Sequence, residues 1–346
     1  MLSTSLSNIT GEKADQMLGH HETTLDPLYY QFFGPWLNKN RNSDAKACLS
    51  LLTSSTSITY LCHESATIRL ANPEGPGWTE FTVFGSPYSP TDRFAQAFSY
   101  HRLESDYPWR PIGADPALSH WGALDSKLMT AKDVWASIPT NTDILITHTP
   151  PSGHLDYCSL RGGNIGCKEL LKTLGRVRPV LHVCGHAYDG RGSDRIQWDI
   201  SESGSSATVS KVESWEDNSP DPRSAKISRV DLTGRRGNRP IDWHDSRNRH
   251  HKDLDGPRTQ QSARDDTTAT ATTTSSSSSS NRESGPGNDG VTASPEQPLS
   301  AVRPDPMGRR ETCVVNCAIM ASYWPHRHRK FNKPIVVDLD LPIVQT

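Results

Sequence analysis

The chain has 346 residues, which is enough for one large domain or two small ones. Its 37 basic and 39 acidic residues leave a formal charge of −2, so no excess of positive charge attracts it to nucleic acid or to an anionic membrane. Hydrophobic residues make up 34% of the chain and its mean hydropathy is −0.64. A chain this polar is not expected to be folded throughout, so we expect a disordered part.

The cysteine content and the start of the chain indicate a compartment. Seven cysteines, without a CxxC pair, do not suggest a disulfide framework and favour a reducing environment. The first residues have neither the basic start nor the apolar core of a signal peptide, and the chain contains no run of about 18 apolar residues. The sequence therefore predicts a cytoplasmic protein that does not enter a membrane.

The first third of the chain shows short periodic segments joined by turns. They predict a helix at 44–53, strands at 58–61, 66–70 and 79–85, and a short helix at 91–98. Asp44 is placed to cap the first helix. The sequence NPEGPG is typical of a turn and makes the last two predicted strands a hairpin.

The middle of the chain predicts a strand, a proline loop, a helix and a second strand. The strand ILIT at 144–147 is followed by two prolines, which end regular structure. Segment 165–174 has the spacing of a helix, and 180–184 predicts the next strand. This order is typical of a layered α/β unit.

Low-complexity sequence then interrupts the apolar pattern. Six consecutive serines at 275–280 and a Thr/Ala tract before them cannot bury enough apolar surface to offset the entropy of ordering. Apolar texture returns at 313–320 and 334–341, which predict two strands that pack back on the domain. The predicted divisions are an N-terminal stretch at 1–18, a domain at 19–200, a disordered insertion at 201–311 and returning strands at 312–346.

Histidines follow two of the predicted strands. His148 ends the first in ILITHTPP, and His186 ends the second in LHVCGHAY. A third stretch, GHHETTLD, contains His20 and His21. Ligand sites in layered α/β proteins form beyond the carboxyl ends of strands, and a neutral imidazole binds zinc, manganese or iron well. A histidine there can equally be satisfied by backbone groups or by solvent.

These stretches together resemble a known family. ILITHTPPSGHLD followed by GCKELLKTLGRVRPVLHVCGHAYDGRG resembles the C-terminal half of the calcineurin-like metallophosphoesterase superfamily. It is most similar to the metallophosphoesterase-domain-containing branch, and CVVNCAIM with FNKPIVVDLDLP resembles the closing strands of its fungal members. The resemblance covers about 19–200 and 312–343, and implies a four-layer α/β/β/α sandwich with the long disordered insertion.

The resemblance also implies a chemistry. Family members hold two divalent ions (manganese, iron or zinc), which activate a water molecule and bind the oxygens of a small phosphate ester or nucleotide. A histidine of the family's G-N-H-D motif stabilises the transition state or protonates the leaving oxygen.

Carried over by position, five residues fall on the family's functional motifs. His148 matches the lone histidine ligand, and His186 matches the first histidine of G-H-x-H. Tyr188 stands where the second histidine is expected, and a neutral phenol binds a divalent ion poorly. In GHHETTLD, His20 occupies a ligand position and His21 that of the catalytic histidine.

Two further residues are possible substrate contacts. Arg191 in DGRG matches phosphate geometry, although it also suits a surface loop. His154 in SGHLD follows the proline loop, where turn formation alone also explains the sequence.

The departures from the family pattern leave three functions open. The family's upstream D-x-H and G-D motifs are not found before Gly19, so the resemblance implies a chain without its first strands and with one ion site deprived of ligands. The first reading is an impaired phosphoesterase with two ions, one or none. The second is an inactive module that binds a nucleotide or a protein. The third is a mononuclear zinc protein with three histidine ligands.

Overall fold

The computed structural model of the chain describes much of the predicted domain. The described residues are 21–37, 44–72, 75–91, 96–101, 128–201, 207–217, 227–241, 308–322, 330–341 and 343–344. Contacts place them in one unit, which covers Met1–Ser246 and Arg303–Thr346. His20, the N-terminal stretch 1–18 and the greater part of the predicted insertion lie outside the described residues.

A mixed sheet forms the centre of the described structure. Its strands are β1 (Glu64–Ala71), β2 (Trp78–Ser86), β5 (Ile144–Thr147), β8 (Leu181–Cys184), β9 (Gly192–Ile200), β10 (Ala207–Ser214), β12 (Glu311–Asn316) and β16 (Ile343–Val344). Their order is β1-β2-β5-β8-β12-β9-β10, with β16 paired to β2. The four strands from β2 to β12 are parallel, and the flanking pairs are antiparallel.

Smaller elements surround this sheet. The short strands are β3 (Ser89–Pro90), β4 (Ser99–Tyr100), β6 (Tyr157–Cys158), β7 (Gly163–Asn164), β11 (Ser228–Asp231), β13 (Met320–Ser322), β14 (Lys330–Phe331) and β15 (Ile335–Asp338). The helices are α1 (Pro27–Leu37), α2 (Ala45–Thr53), α3 (Ala131–Ala136) and α4 (Lys168–Val177), with 3-10 helices at Ser159–Arg161 and Tyr188–Gly190. Strands β11 and β15 pair in parallel as a second, small sheet.

The two faces of the large sheet are covered differently. On one face, Trp135 of α3 and Leu174 of α4 pack with Leu145 and Val314 of the sheet. On the other face, the small sheet packs its valines against the opposite set of alternating side chains. The α/β class is confirmed, and the described residues show three layers; the four-layer sandwich stays a prediction. No helix among these residues is long and apolar enough to cross a membrane.

Helix α4 connects β5 to β8 and thereby fixes where those strands end. Leu170, Leu174 and Val177 face the core at helical spacing. A Cβ on Gly175 would lie 2.3 Å from the carbonyl oxygen of Ala207, so only glycine permits this approach of α4 to β10.

Most elements predicted along the first half of the domain are confirmed, including the hairpin and the Asp44 cap, whose carboxylate accepts the N–H of Ala47. The strand predicted at 58–61 was wrong, because Leu61 packs on the core beside Gly85 without strand pairing. The described ends of 91–98 are not helical, and 92–95 lie outside the described residues. Strands β10 and β11 fall inside the range predicted as the insertion.

Candidate functional site

Strands β5 and β8 bring His148 and His186 to the same edge of the sheet. The strands are parallel neighbours, with Ile144 paired to Leu181, so their carboxyl ends coincide. The His148 N–H donates to the Ser86 carbonyl oxygen (3.0 Å), and the Gly185 N–H donates to the His148 carbonyl oxygen (3.2 Å). Backbone hydrogen bonds therefore hold the two histidine segments side by side where β2, β5 and β8 end.

The two imidazoles face each other through one nitrogen each. The Nδ1 of His186 lies 3.1 Å from the Nε2 of His148, with ring centroids 4.8 Å apart and ring planes at 59°. Two nitrogens bound tetrahedrally to one ion at about 2.0–2.1 Å lie about 3.3 Å apart. The pair therefore fits two ligands of a single divalent ion. The same spacing also suits a hydrogen bond in which one ring donates to the other.

The backbone at His186 is in the left-handed region, with φ of 65°. For a residue other than glycine this conformation costs on the order of 1 kcal/mol and requires support from its surroundings. The turn is tight, because the Ala187 N–H donates to the Gly185 carbonyl oxygen at 2.7 Å. A strained turn thus sets the direction of the His186 ring.

Burial, with a smaller contribution from nearby His21, lowers the pKa of His148 to about 4. His148 is therefore neutral at pH 7 and keeps the lone pair that a metal ligand requires. His21 is exposed and lies close enough to His148 to influence it electrostatically. The structure thus brings three of the predicted site residues into one region, while His20 lies outside the described residues.

Tyr188 is half-buried and begins the 3-10 helix Tyr188–Gly190. The neighbouring Asp189 accepts hydrogen bonds from the backbone N–H (2.7 Å) and the hydroxyl (2.9 Å) of Ser159. This contact holds the two 3-10 helices together. Arg161 at the end of the other one interacts electrostatically with Tyr188. Tyr188 therefore lies close to a cationic side chain.

His154 lies in the core of the loop after β5. It is 6% exposed, and its Nδ1 is 3.5 Å from the Asp194 carboxylate. Asp156 in the same loop accepts the N–H groups of Gly153 (3.0 Å) and Gly166 (3.1 Å), as turn formation predicts. A substrate contact by His154 would require this loop to open.

Arg191 links the start of β9 to the segment before β15. Its guanidinium donates to the Lys333 carbonyl oxygen from Nε (3.1 Å) and Nη2 (2.7 Å), and Nη2 also donates to the Ser228 hydroxyl (2.9 Å). A contact with phosphate would require Arg191 to exchange these bonds for new ones.

Sequence reasoning missed two buried polar residues near the site, His182 and Asn316. Each interrupts an apolar stretch of the sequence, LHVC for His182 and CVVNCAIM for Asn316, at a position that faces the helices. That polar interruption was the available signal. Within the described ranges, no group of three or more His, Cys, Asp or Glu residues is placed to hold a metal ion.

Known proteins resemble parts of the chain, and no family model matches it. It is 29% identical to human metallophosphoesterase domain-containing protein 1 over 182 residues. The aligned stretch covers 50% of the chain and 44% of the human protein. A UPF0046 protein of Caenorhabditis elegans is 42% identical over 86 residues, 25% of the chain and 20% of that protein. The probable rhamnogalacturonate lyase C of Emericella nidulans is 31% identical over 199 residues, 57% of the chain but 14% of that protein.

The chain spans less than half the length of these curated relatives. The similarity to metallophosphoesterase domain-containing protein 1, which the mouse protein shares, supports a relationship to metallophosphoesterases at the level of the family. The lyase name belongs to a protein of which only a small part is matched.

Proposed function

We propose that this chain is a metal-dependent phosphoesterase domain of the calcineurin-like kind, related to the fungal branch, which hydrolyses phosphate mono- or diesters. The observation that carries the proposal is the 3.1 Å approach of His186 Nδ1 to His148 Nε2 at the ends of adjacent parallel strands. The relatives named above support the same family-level function.

In this proposal His148 and His186 hold a zinc, manganese or iron ion, with His20 as a third ligand. When bound, a divalent ion lowers the pKa of a water molecule and offsets negative charge on the phosphoryl oxygens. His148 contributes a lone pair at neutral pH because its pKa is lowered to about 4. The strained turn at His186 keeps the second ring aimed at the first.

His21 has the role of proton donor to the leaving oxygen. Its imidazole is exposed, so a small phosphate ester or a nucleotide can reach it, and it lies near His148. Imidazole is the side chain best suited to transfer a proton near neutral pH.

Tyr188 is expected to make turnover weak. The phenol replaces an imidazole at the position of a second ion, and a neutral phenol binds a divalent ion poorly. A single ion cannot bind both the attacking and the leaving oxygen in the manner of a two-ion site.

A second candidate is an inactive module that binds a nucleotide or a protein. Tyr188 favours it, together with the finding that no described group of three metal-binding side chains is assembled. A mononuclear zinc site with three histidines is the third candidate. The number of ions bound per chain separates all three.

The deciding experiment is elemental analysis of the full-length chain after dialysis, alongside His186→Ala. The matched control is His101→Ala, because the backbone of His101 pairs with Thr130 and its ring is not one of the proposed ligands. We expect at least one equivalent of metal per chain in the wild type and in the control, and loss of metal in His186→Ala. Hydrolysis of bis(4-nitrophenyl) phosphate should occur in the two proteins that retain metal and be lost in His186→Ala. Wild-type chain without metal would contradict the phosphoesterase and favour the binding module.

A further inference from the structure

Asn316 ends β12, the strand beside β8, and its side chain reaches across to the site. It is fully buried, and its Nδ2 donates to two carbonyl oxygens, those of Leu155 (2.8 Å) and Ala187 (2.8 Å). Its Oδ1 accepts the N–H of Ala318 (2.9 Å). All three contacts agree with one orientation of the amide, since the reverse would oppose oxygen to oxygen.

Both carbonyl groups belong to strained segments. Leu155 has φ of 56°, and Ala187 directly follows His186, which has φ of 65°. Non-glycine residues keep such conformations only where the surrounding structure holds them. Asn316 supplies that support to both loops with one side chain; we call these two hydrogen bonds the Asn316 brace.

Gly190 closes the same arrangement from the other side. Its N–H donates to the Ala187 carbonyl oxygen (3.2 Å), so this oxygen accepts two hydrogen bonds. A Cβ at position 190 would lie 1.9 Å from the Leu155 carbonyl oxygen and 3.0 Å from Asn316 Nδ2. No larger residue fits there without displacing the brace.

We infer that Asn316 is a positioning residue, which holds the His186 turn and the His154 loop so that the His186 ring faces His148. The inference rests on the proposed function for its meaning in catalysis, but the geometry concerns the imidazole pair itself. Outer hydrogen-bond partners of metal-site ligands typically change metal affinity by about 10- to 100-fold when they are removed.

The test uses Asn316→Asp, which keeps the shape of the side chain and replaces its donor by a carboxylate facing two carbonyl oxygens. Asn332→Asp is the matched control, because Asn332 Nδ2 also donates to two carbonyl oxygens, but to those of Ala318 (2.8 Å) and Met320 (3.2 Å) rather than to those of Leu155 and Ala187. The probes are Co²⁺ binding, followed by visible absorbance, and ¹⁵N NMR of the two facing imidazole nitrogens in metal-free chain.

We expect Asn316→Asp to weaken Co²⁺ binding by about 10- to 100-fold and to abolish the distinct NMR signals of the paired nitrogens. Asn332→Asp should leave the Co²⁺ affinity within twofold of the wild-type value and the NMR signals of the paired nitrogens in place. A folded Asn316→Asp chain with unchanged signals, or an equal loss in Asn332→Asp, would overturn the inference. If wild-type chain binds no Co²⁺, the proposed function fails, whereas the NMR signals still decide the role of Asn316.

If Asn316→Asp does not fold, hydrogen exchange of the wild-type side chain decides. Both Nδ2 hydrogens donate, so both should exchange on the order of 100-fold more slowly than those of an exposed asparagine. Exchange at the exposed rate would show that the Asn316 brace does not form.

Discussion

Two polar pairs link β5 and β8, one inside the sheet and one just beyond it. Inside, His182 Nε2 lies 2.8 Å from the Thr147 hydroxyl, and both residues are fully buried. Beyond the strand ends, His148 and His186 face each other at 3.1 Å and stay half-buried. Thr147 is the last residue of β5 and His148 directly follows it, so adjacent residues make a buried contact and a partly exposed one.

The protonation of the inner pair is fixed by its partners. The Thr147 hydroxyl donates to the Thr149 carbonyl oxygen (2.6 Å), so it accepts from His182, whose Nε2 carries the hydrogen. Burial, with nearby His154, lowers the pKa of His182 to about 3. The inner histidine has a structural role, whereas His148 and His186 lie beyond the strand ends and are partly exposed.

The largest effect should come from removing the inner imidazole. His182→Ala leaves a cavity in the core and removes the hydrogen bond from His182 Nε2 to the Thr147 hydroxyl, so the free energy of unfolding should fall by about 3 kcal/mol. Urea unfolding measures this, and metal content at 25 °C should stay at the wild-type value in chain that remains folded. Loss of metal from the folded variant would contradict the assignment of a structural role to His182 and of metal binding to His148 and His186.

Acid should destabilise the protein through the inner histidine. Between its ordinary pKa of 6.5 and about 3, the unfolded state binds a proton that folded His182 does not, so stability falls as pH falls. From pH 7 to 5 this amounts to about 2 kcal/mol. Urea unfolding of wild type and His182→Gln at both pH values checks it. The pKa of His148 is lowered as well, so the variant should lose only the part of the dependence that His182 contributes, and equal slopes would exclude that contribution.

A gain of metal binding should follow a change at the outer edge. Tyr188→His restores an imidazole at the position of the second ion, so we expect the affinity for that ion to rise about tenfold, or about 1.4 kcal/mol. Competition with a chromophoric chelator measures it, with Tyr188→Phe as a control that lacks any ligand. Equal affinities in the two variants would show that position 188 does not face the ion.

The smallest effect separates packing from hydrogen bonding in the inner pair. Thr147→Ser keeps the hydroxyl and removes one methyl group, which should cost about 0.8 kcal/mol of unfolding free energy. Thr147→Val keeps the shape and leaves His182 without its acceptor, and should cost more. Thermal unfolding of both variants ranks them; the reverse order would mean that the hydroxyl contributes little.

The two pairs also differ in how far the sequence could predict them. His148 and His186 stand after apolar runs and before turn residues, so their place at a sheet edge followed from local pattern. Helix α4 was equally readable from the spacing of its leucines. The Asn316 brace was not, because its partners Ala187 and Leu155 lie 129 and 161 positions away in the chain.

The strand prediction at 58–61 failed because an apolar side chain can be buried without its backbone pairing to a neighbouring strand. The apolar residues at 58–61 suggested a strand, but Leu61 meets the core from an extended segment beside Gly85. Conversely, β10 is polar and largely exposed, so its sequence lacked the alternation that identifies a strand. Its pairing with β9 decides its structure, and pairing partners are not visible in a local pattern.

The position of β12 has a consequence for how the protein is made. It fills the gap between β8 and β9, yet residues 201–310 are synthesised between β9 and β12. After β9 has been synthesised, the edges of β8 and β9 that later pair with β12 are therefore unpaired. Chaperones and proteases can reach these edges until β12 is synthesised and inserts between them. The amide that supports His186 is delivered on that strand, so the site is among the last features of the nascent chain to take shape.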